Sequence, residues 1–305
     1  MRKMLLHAGV LGAVLALGVP AITQAGTAPD PNLNDTVLGT VAGLRYATES
    51  STYQVADRYA EATAGCGGPN WHLIGGGAAA GGDATNAWQA FDRPDDYTDV
   101  DTQPDDGFLA AGFGPAGKTF TAYSICVRNV ALEYVSTSVA NQPSGRRSGT
   151  AACSDPSWHV TTGSAAIATS NSWISTSVPT DGPDSDSTRD DGWRGTAFDT
   201  VNGLGGFSVS AICAEGVKLH YAKATAPRVS AGHVSSVKVS CGSAGHVVGG
   251  GVTVSGTADQ SRVVVSAPFD GPDADHVPDD GWRVKVFAIS GTDLAVTAFA
   301  ICLQG

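Results

Sequence analysis

Three short stretches of the chain gather carboxylates at one shared spacing. Asp99, Asp101, Asp105 and Asp106 precede Gly107. Asp184, Asp186, Asp190 and Asp191 precede Gly192, and Asp273, Asp275, Asp279 and Asp280 precede Gly281. The first stretch carries two further acids ahead of it, Asp95 and Asp96. Carboxylates crowded on one loop repel each other, and a hard cation that takes about six to eight oxygen ligands relieves that repulsion. The chemistry on offer is calcium binding, with one ion per loop. The competing reading is a solvated turn, since Asp-Gly is a turn pair and Pro104, Pro183, Pro272 and Pro278 stiffen loops without any metal.

The Asp-x-Asp turn resembles those of thrombospondin type-3 repeats and of EF-hand loops, over about nine residues per copy. It lacks the closing Glu and the central Gly of an EF-hand. Two tryptophans offer a different chemistry. Trp71 and Trp158 stand at one repeated position that the third copy fills with Gly245, so the fold does not demand them there. A tryptophan that the fold can spare is a candidate for ligand contact, for example against a sugar ring. Trp193, Trp282 and Phe108, at the position after each Asp-Gly, read as core anchors or as stacking platforms. His72, His159 and His246 also share one position. They would meet on a metal such as zinc if the copies closed around an axis, and otherwise read as polar residues entering a strand.

The elements that carry these residues come in three copies of one unit. Each opens on an alternating stretch (Val41, Leu44, Tyr46; Val130, Leu132, Tyr134; Val217, Leu219, Tyr221) and continues to a cysteine, Cys66, Cys153 or Cys241. A small-residue strand follows, holding Gly75-Gly76-Gly77, Thr162-Gly163-Ser164 or Gly249-Gly250-Gly251, and then the acidic loop. The unit closes on Ile125-Cys126, Ile212-Cys213 or Ile301-Cys302. Such landmarks place a leader at 1–25, an N-terminal segment at 26–40 and repeats at 41–129, 130–216 and 217–305. The repeat itself pairs Cys66 with Cys126, Cys153 with Cys213 and Cys241 with Cys302. Alternation such as Phe207-Ser208-Val209-Ser210 predicts half-buried antiparallel strands, and no helical period is evident. The fold class is all-β, with the repeats either as tandem sandwich-like units or as a pseudo-threefold β-prism-like assembly.

Composition narrows the function. Arg2, Lys3, the apolar run from Leu5 to Val19 and Thr23-Gln24-Ala25 have the layout of a secretory signal peptide. Its removal takes two cations and moves the net charge from −11 to −13. So acidic a chain disfavours nucleic acid and anionic membranes, and no later run is apolar enough for membrane insertion. Six cysteines in an exported chain fit an oxidising compartment.

The frame of Cys66, Gly75–Gly77, Asp106-Gly107-Phe108 and Ile125-Cys126, with its two further copies, resembles a repeat of secreted bacterial, chiefly actinobacterial, proteins. The second copy departs from it at Thr162 and Ser164, and the first at Phe108. The resemblance implies secretion and a β-fold and carries no activity. Nucleophile-elbow, zinc-protease, phosphate-loop and dinucleotide motifs are missing from the chain. Repeated equivalent features suit multivalent binding better than one asymmetric active site. The leading expectation is a secreted, non-enzymatic, lectin-like protein, calcium-stabilised, binding an extracellular glycan or cell surface. The alternatives are an extracellular coat or matrix subunit and a hydrolase with a cleft between repeats.

Overall fold

The computed structural model describes residues 36–41 (backbone only), 43–56, 58–96, 103–140, 145–167, 172–182, 186–200, 206–242, 245–271, 275–291 and 293–304. The leader at 1–25 lies outside the described residues, as do Asp99, Asp101, Asp184 and Asp273.

Nineteen strands are described. The first seven are β1 (Thr36–Val41), β2 (Leu44–Thr52), β3 (Tyr59–Gly65), β4 (His72–Ala80), β5 (Trp88–Asp95), β6 (Gly107–Phe113) and β7 (Thr119–Val127). The second repeat supplies β8 (Ala131–Val139), β9 (Arg146–Ala152), β10 (Trp158–Ile167), β11 (Ser172–Thr180), β12 (Gly192–Asp199) and β13 (Phe207–Glu215). The third supplies β14 (Leu219–Thr225), β15 (Val234–Ser240), β16 (Gly245–Val254), β17 (Ser261–Phe269), β18 (Gly281–Ala288) and β19 (Val296–Gln304). The only helical element described is one 3₁₀ turn, Ala258–Gln260. No helix is long and apolar enough to cross a membrane.

The sheets do not coincide with the repeats. One runs β1-β2-β7-β4-β17-β18-β15, the next β3-β6-β5-β10-β13-β8, and the third β14-β19-β16-β11-β12-β9. Each joins three strands of one repeat to three of another: first with third, second with first, third with second. The chain closes on itself as a three-sided prism of antiparallel sheets, and β1 adds a seventh strand to one side. Of the two arrangements open to the sequence, the structure selects the threefold one. The physical reason is burial. A unit of under ~90 residues covers little core alone, and here one apolar cluster takes Leu44 and Ile125, Val160 and Val209, and Val247 and Ile301 from all three repeats.

Three features hold the closure. The tyrosine that opens each repeat donates its hydroxyl across a seam: Tyr46 to Val247 O at 2.7 Å, Tyr134 to Leu73 O at 2.7 Å and Tyr221 to Val160 O at 2.8 Å. Each such bond contributes roughly 0.5–1.5 kcal/mol. The second feature is a repeated bulge. The strand register shifts between Leu73 and Gly75, between Val160 and Thr162 and between Val247 and Gly249. The bulge residues bring the repeats into contact at the axis, where Thr161 Oγ1 donates to Ile74 O at 2.7 Å. A Cβ on Gly75 would lie 1.7 Å from Val248 O, and one on Gly249 2.0 Å from Thr161 O. That approach explains glycine at these two positions.

The third feature is the aromatic after each Asp-Gly. Phe108, Trp193 and Trp282 are fully buried, each against the middle glycine of its own repeat. They are core anchors, so the sugar-platform alternative for them falls. Both indoles donate to a serine, Trp193 to Ser177 Oγ at 2.8 Å and Trp282 to Ser266 Oγ at 3.0 Å. Their ring tips then approach the third glycine of the neighbouring repeat, Gly251 and Gly77. The remaining seam differs in three places together. Phe108 replaces the indole, Asp92 stands where the serine would be, and Ser164 replaces the glycine. A shorter ring leaves the space that the Ser164 side chain and the Asp92 carboxylate occupy.

The disulfides are Cys66–Cys126, Cys153–Cys213 and Cys241–Cys302, one per repeat, closing 60, 60 and 61 residues. In the chain-entropy account a loop of this length is worth roughly 4 kcal/mol.

Candidate functional site

Each acidic loop returns to the start of the small-residue strand. The carbonyls of its Asp-Asp pair hold it there. Asp105 O accepts from Leu73 N at 2.7 Å and Asp106 O from Cys66 N at 2.7 Å. Asp190 and Asp191 do the same for Val160 and Cys153, and Asp279 and Asp280 for Val247 and Cys241. The loop is thus clamped beside the disulfide, and the first aspartate of the pair faces the histidine of the strand.

The result is a His–Asp pair in every repeat. His72 Nδ1 lies 2.6 Å from Asp105 Oδ2 and His159 Nδ1 lies 2.9 Å from Asp190 Oδ2, and His246 Nδ1 is bonded to Asp279 Oδ2. The aspartates are nearly buried and the imidazoles about one-third exposed. Burial pushes the Asp190 and Asp279 carboxyls above the usual carboxylate range, and the histidines oppose the shift. Oδ1 of both residues is buried and accepts no hydrogen bond from the described residues. Among the described residues no three His, Cys, Asp or Glu side chains gather closely enough to hold a metal. Of the two readings of His72, His159 and His246, the meeting on one metal is not seen among the described residues, and polar residues entering a strand is the one that holds. Each is held by its own loop, while backbone and small residues fill the axis.

The other described loop carboxylates serve turns. Asp191 Oδ2 accepts from Gly182 N at 2.6 Å, and Asp280 Oδ2 accepts from Gly271 N. Asp186 Oδ1 accepts from Thr188 N and Asp275 Oδ1 from Val277 N, both two residues on. Asp106 is buried where its loop meets β3.

Trp71 and Trp158 share a position but not a setting. Trp71 is 9% exposed, and the guanidiniums of Arg45 and Arg128 both stand 4.5 Å from its ring centre. Trp158 is half-buried and lines a shallow groove of 500 Å³ with Gln103, Pro104, Leu132, Glu133 and Tyr134. A second hollow of 220 Å³ shares Pro104 and Tyr134 with the first and adds Arg93, Ser136, Ser208 and Ser210. The ring of Tyr134 is fixed between them, because its hydroxyl is bonded to Leu73 O. Glu133 also braces the wall, its carboxylate accepting from Ser154 N at 3.0 Å.

This groove combines apolar ring surface with a carboxylate and an amide, and the adjoining hollow adds a guanidinium and serine hydroxyls, a mixture that suits a polyhydroxylated ligand. It lies where the first and second repeats share a sheet. The sequence flagged Trp158 through the repeat comparison and missed its neighbours, because Gln103 and Pro104 come from the first repeat, which only the shared sheet sets beside the second. The His–Asp pairs were also missed as pairs, although each partner occupies a fixed repeat position that could have revealed them. No protein-family model matches the chain, and no curated protein matches it in sequence.

Proposed function

We propose that the protein is a secreted, non-enzymatic, lectin-like binder of an extracellular polysaccharide or cell surface, with Trp158 at the centre of its contact. The carrying observation is the half-buried Trp158 in a groove with Tyr134, Glu133 and Gln103. Three disulfides support an oxidising compartment. Val55 and Val234 are the only exposed large hydrophobics among the described residues, so a polar ligand suits the surface better than an apolar one. The equivalent positions carry a covered Trp71 and Gly245, which makes the aromatic site single per chain.

The test is a glycan array followed by titration of the best ligand. Trp158→Ala should weaken binding at least about tenfold, or about 1.4 kcal/mol, with an unchanged melt. Undiminished binding by that variant, or silence across glycans and cell walls, refutes the assignment.

Calcium on the acidic loops is the second element of the proposal. Its support is the pair of buried oxygens, Asp190 Oδ1 and Asp279 Oδ1, that have no hydrogen bond among the described residues. A hard cation satisfies such an oxygen. Calcium at about a hundred times its dissociation constant adds roughly 2.7 kcal/mol per site and raises the melt by several degrees over chelator. Coincident melts would reduce the loops to turns braced by the His–Asp pairs.

A further inference from the structure

The sheet β14-β19-β16-β11-β12-β9 carries a further concavity, of 180 Å³, that no feature discussed so far uses. Its walls are hydroxyls and guanidiniums, among them Arg146, Ser148, Arg194, Thr196, Thr176 and Thr253, and no carboxylate lines it. Asp259, next in sequence to the lining residue Ala258, is exposed. In a chain of net charge −11 such a spot is locally the reverse of the whole.

Register places the groups. Thr196 lies opposite Ser148, Arg194 opposite Thr150 and Phe198 opposite Arg146. Arg146, Ser148, Arg194 and Thr196 therefore project from one face. The two arginine Cα positions bracket the Ser148–Thr196 pair at a separation of about 14 Å, four residues along and one strand across. The hydroxyls of Ser148 and Thr196 lie 3.1 Å apart and fix each other. Neither Arg146 nor Arg194 takes part in an ion pair or hydrogen bond among the described residues, whereas the adjacent Arg147 is fully buried against Asp199.

The fold does not require this pair. In the other two repeats the position of Arg146, opposite the matching Phe113 or Phe287, is filled by Tyr59 or Val234. The position of Arg194 is Leu109 in the first repeat and Arg283 in the third, where it is spent on the Tyr123 hydroxyl at 3.1 Å. Two guanidiniums without an ion-pair partner among the described residues thus stand together at the ends of a row of hydroxyls.

We propose that this concavity binds an anionic sugar chain, the arginines taking carboxylates of uronate units and the hydroxyl row taking ring hydroxyls. Guanidinium matches carboxylate in a bidentate fork, and the hydroxyls donate or accept as a sugar requires. The site is separate from the Trp158 groove, lies on another sheet and does not rest on it.

Calorimetric titration of the whole secreted chain tests it with three probes: a uronic-acid oligosaccharide, a neutral oligosaccharide of equal length, and inorganic sulfate. The uronate oligomer should bind, several-fold more weakly at 200 mM than at 50 mM salt, with the neutral oligomer and sulfate at least about tenfold weaker. Arg146→Gln with Arg194→Gln should lose at least about tenfold at an unchanged melt, and Trp158→Ala should lose nothing. If the double variant melts lower, Arg146→Gln alone is read, since that position tolerates valine and tyrosine elsewhere in the fold. Absent uronate binding, equal binding of the neutral oligomer, or an unaffected arginine variant would overturn the proposal. Sulfate binding as tight as uronate would assign the arginines to a free inorganic anion and overturn it as well.

Discussion

Alanine at Gly163 removes about 3 kcal/mol or more of stability, a large share of the margin that holds a folded protein together. The added Cβ would sit 2.1 Å from Trp193 Cγ and 2.5 Å from Ser210 O. Retreat is closed to the indole, which is fully buried and tied through Nε1 to Ser177 Oγ. Its tip is already against Gly251 of the third repeat, so displacement spreads across a seam. The same geometry recurs at Gly76 under Phe108 and at Gly250 under Trp282, with distances of 2.2 and 2.3 Å. The control is Gly206→Ala, where a Cβ meets nothing within 4 Å. Guanidinium chloride unfolding followed by tryptophan fluorescence measures both. The midpoint should fall steeply for the first variant and stay put for the second. A wild-type midpoint for Gly163→Ala would show that the indole packs elsewhere.

Asp92→Asn produces the opposite result at alkaline pH, a gain. Asp92 is buried where the first two repeats share a sheet. Its partner there is Ala165 N, which donates to Oδ1 at 2.9 Å. Burial pushes its carboxyl from an ordinary 3.8 up to about 7, and the Ala165 bond opposes the rise. Between about pH 4 and 7 the folded protein therefore holds a proton that the unfolded chain has lost. Stability falls as pH rises through that window and levels off above it. The difference of about three pKa units corresponds to about 4 kcal/mol at order of magnitude. Asparagine keeps an acceptor for Ala165 and cannot ionise. The variant should thus exceed the wild type by several kcal/mol at pH 8 and match it near pH 4. Asp190 and Asp279, also raised by burial, tilt both proteins alike, so the difference between them isolates Asp92. Thermal melts across pH 4 to 8 read it. Parallel curves would mean that Asp92 ionises in the fold at no cost.

The amino-acid sequence by itself determined the strand content, the three repeats and the disulfide pairing. Those follow from local alternation and from fixed positions repeated three times, such as Cys66, Cys153 and Cys241. It also marked Phe108 and Ser164 as departures from the repeat, without showing that the two meet at one seam. Only the tertiary structure decided that sheets are shared between repeats. A side chain's period reports which face is buried but not which strand lies beside it, and the strands of Arg93 and Trp158 become neighbours only through the pairing of Ala166 with Phe91 across the boundary between two repeats. Likewise, nothing local distinguishes Trp71 from Trp158. What separates them is the company each keeps after closure: two guanidiniums over one ring, and an open groove beside the other.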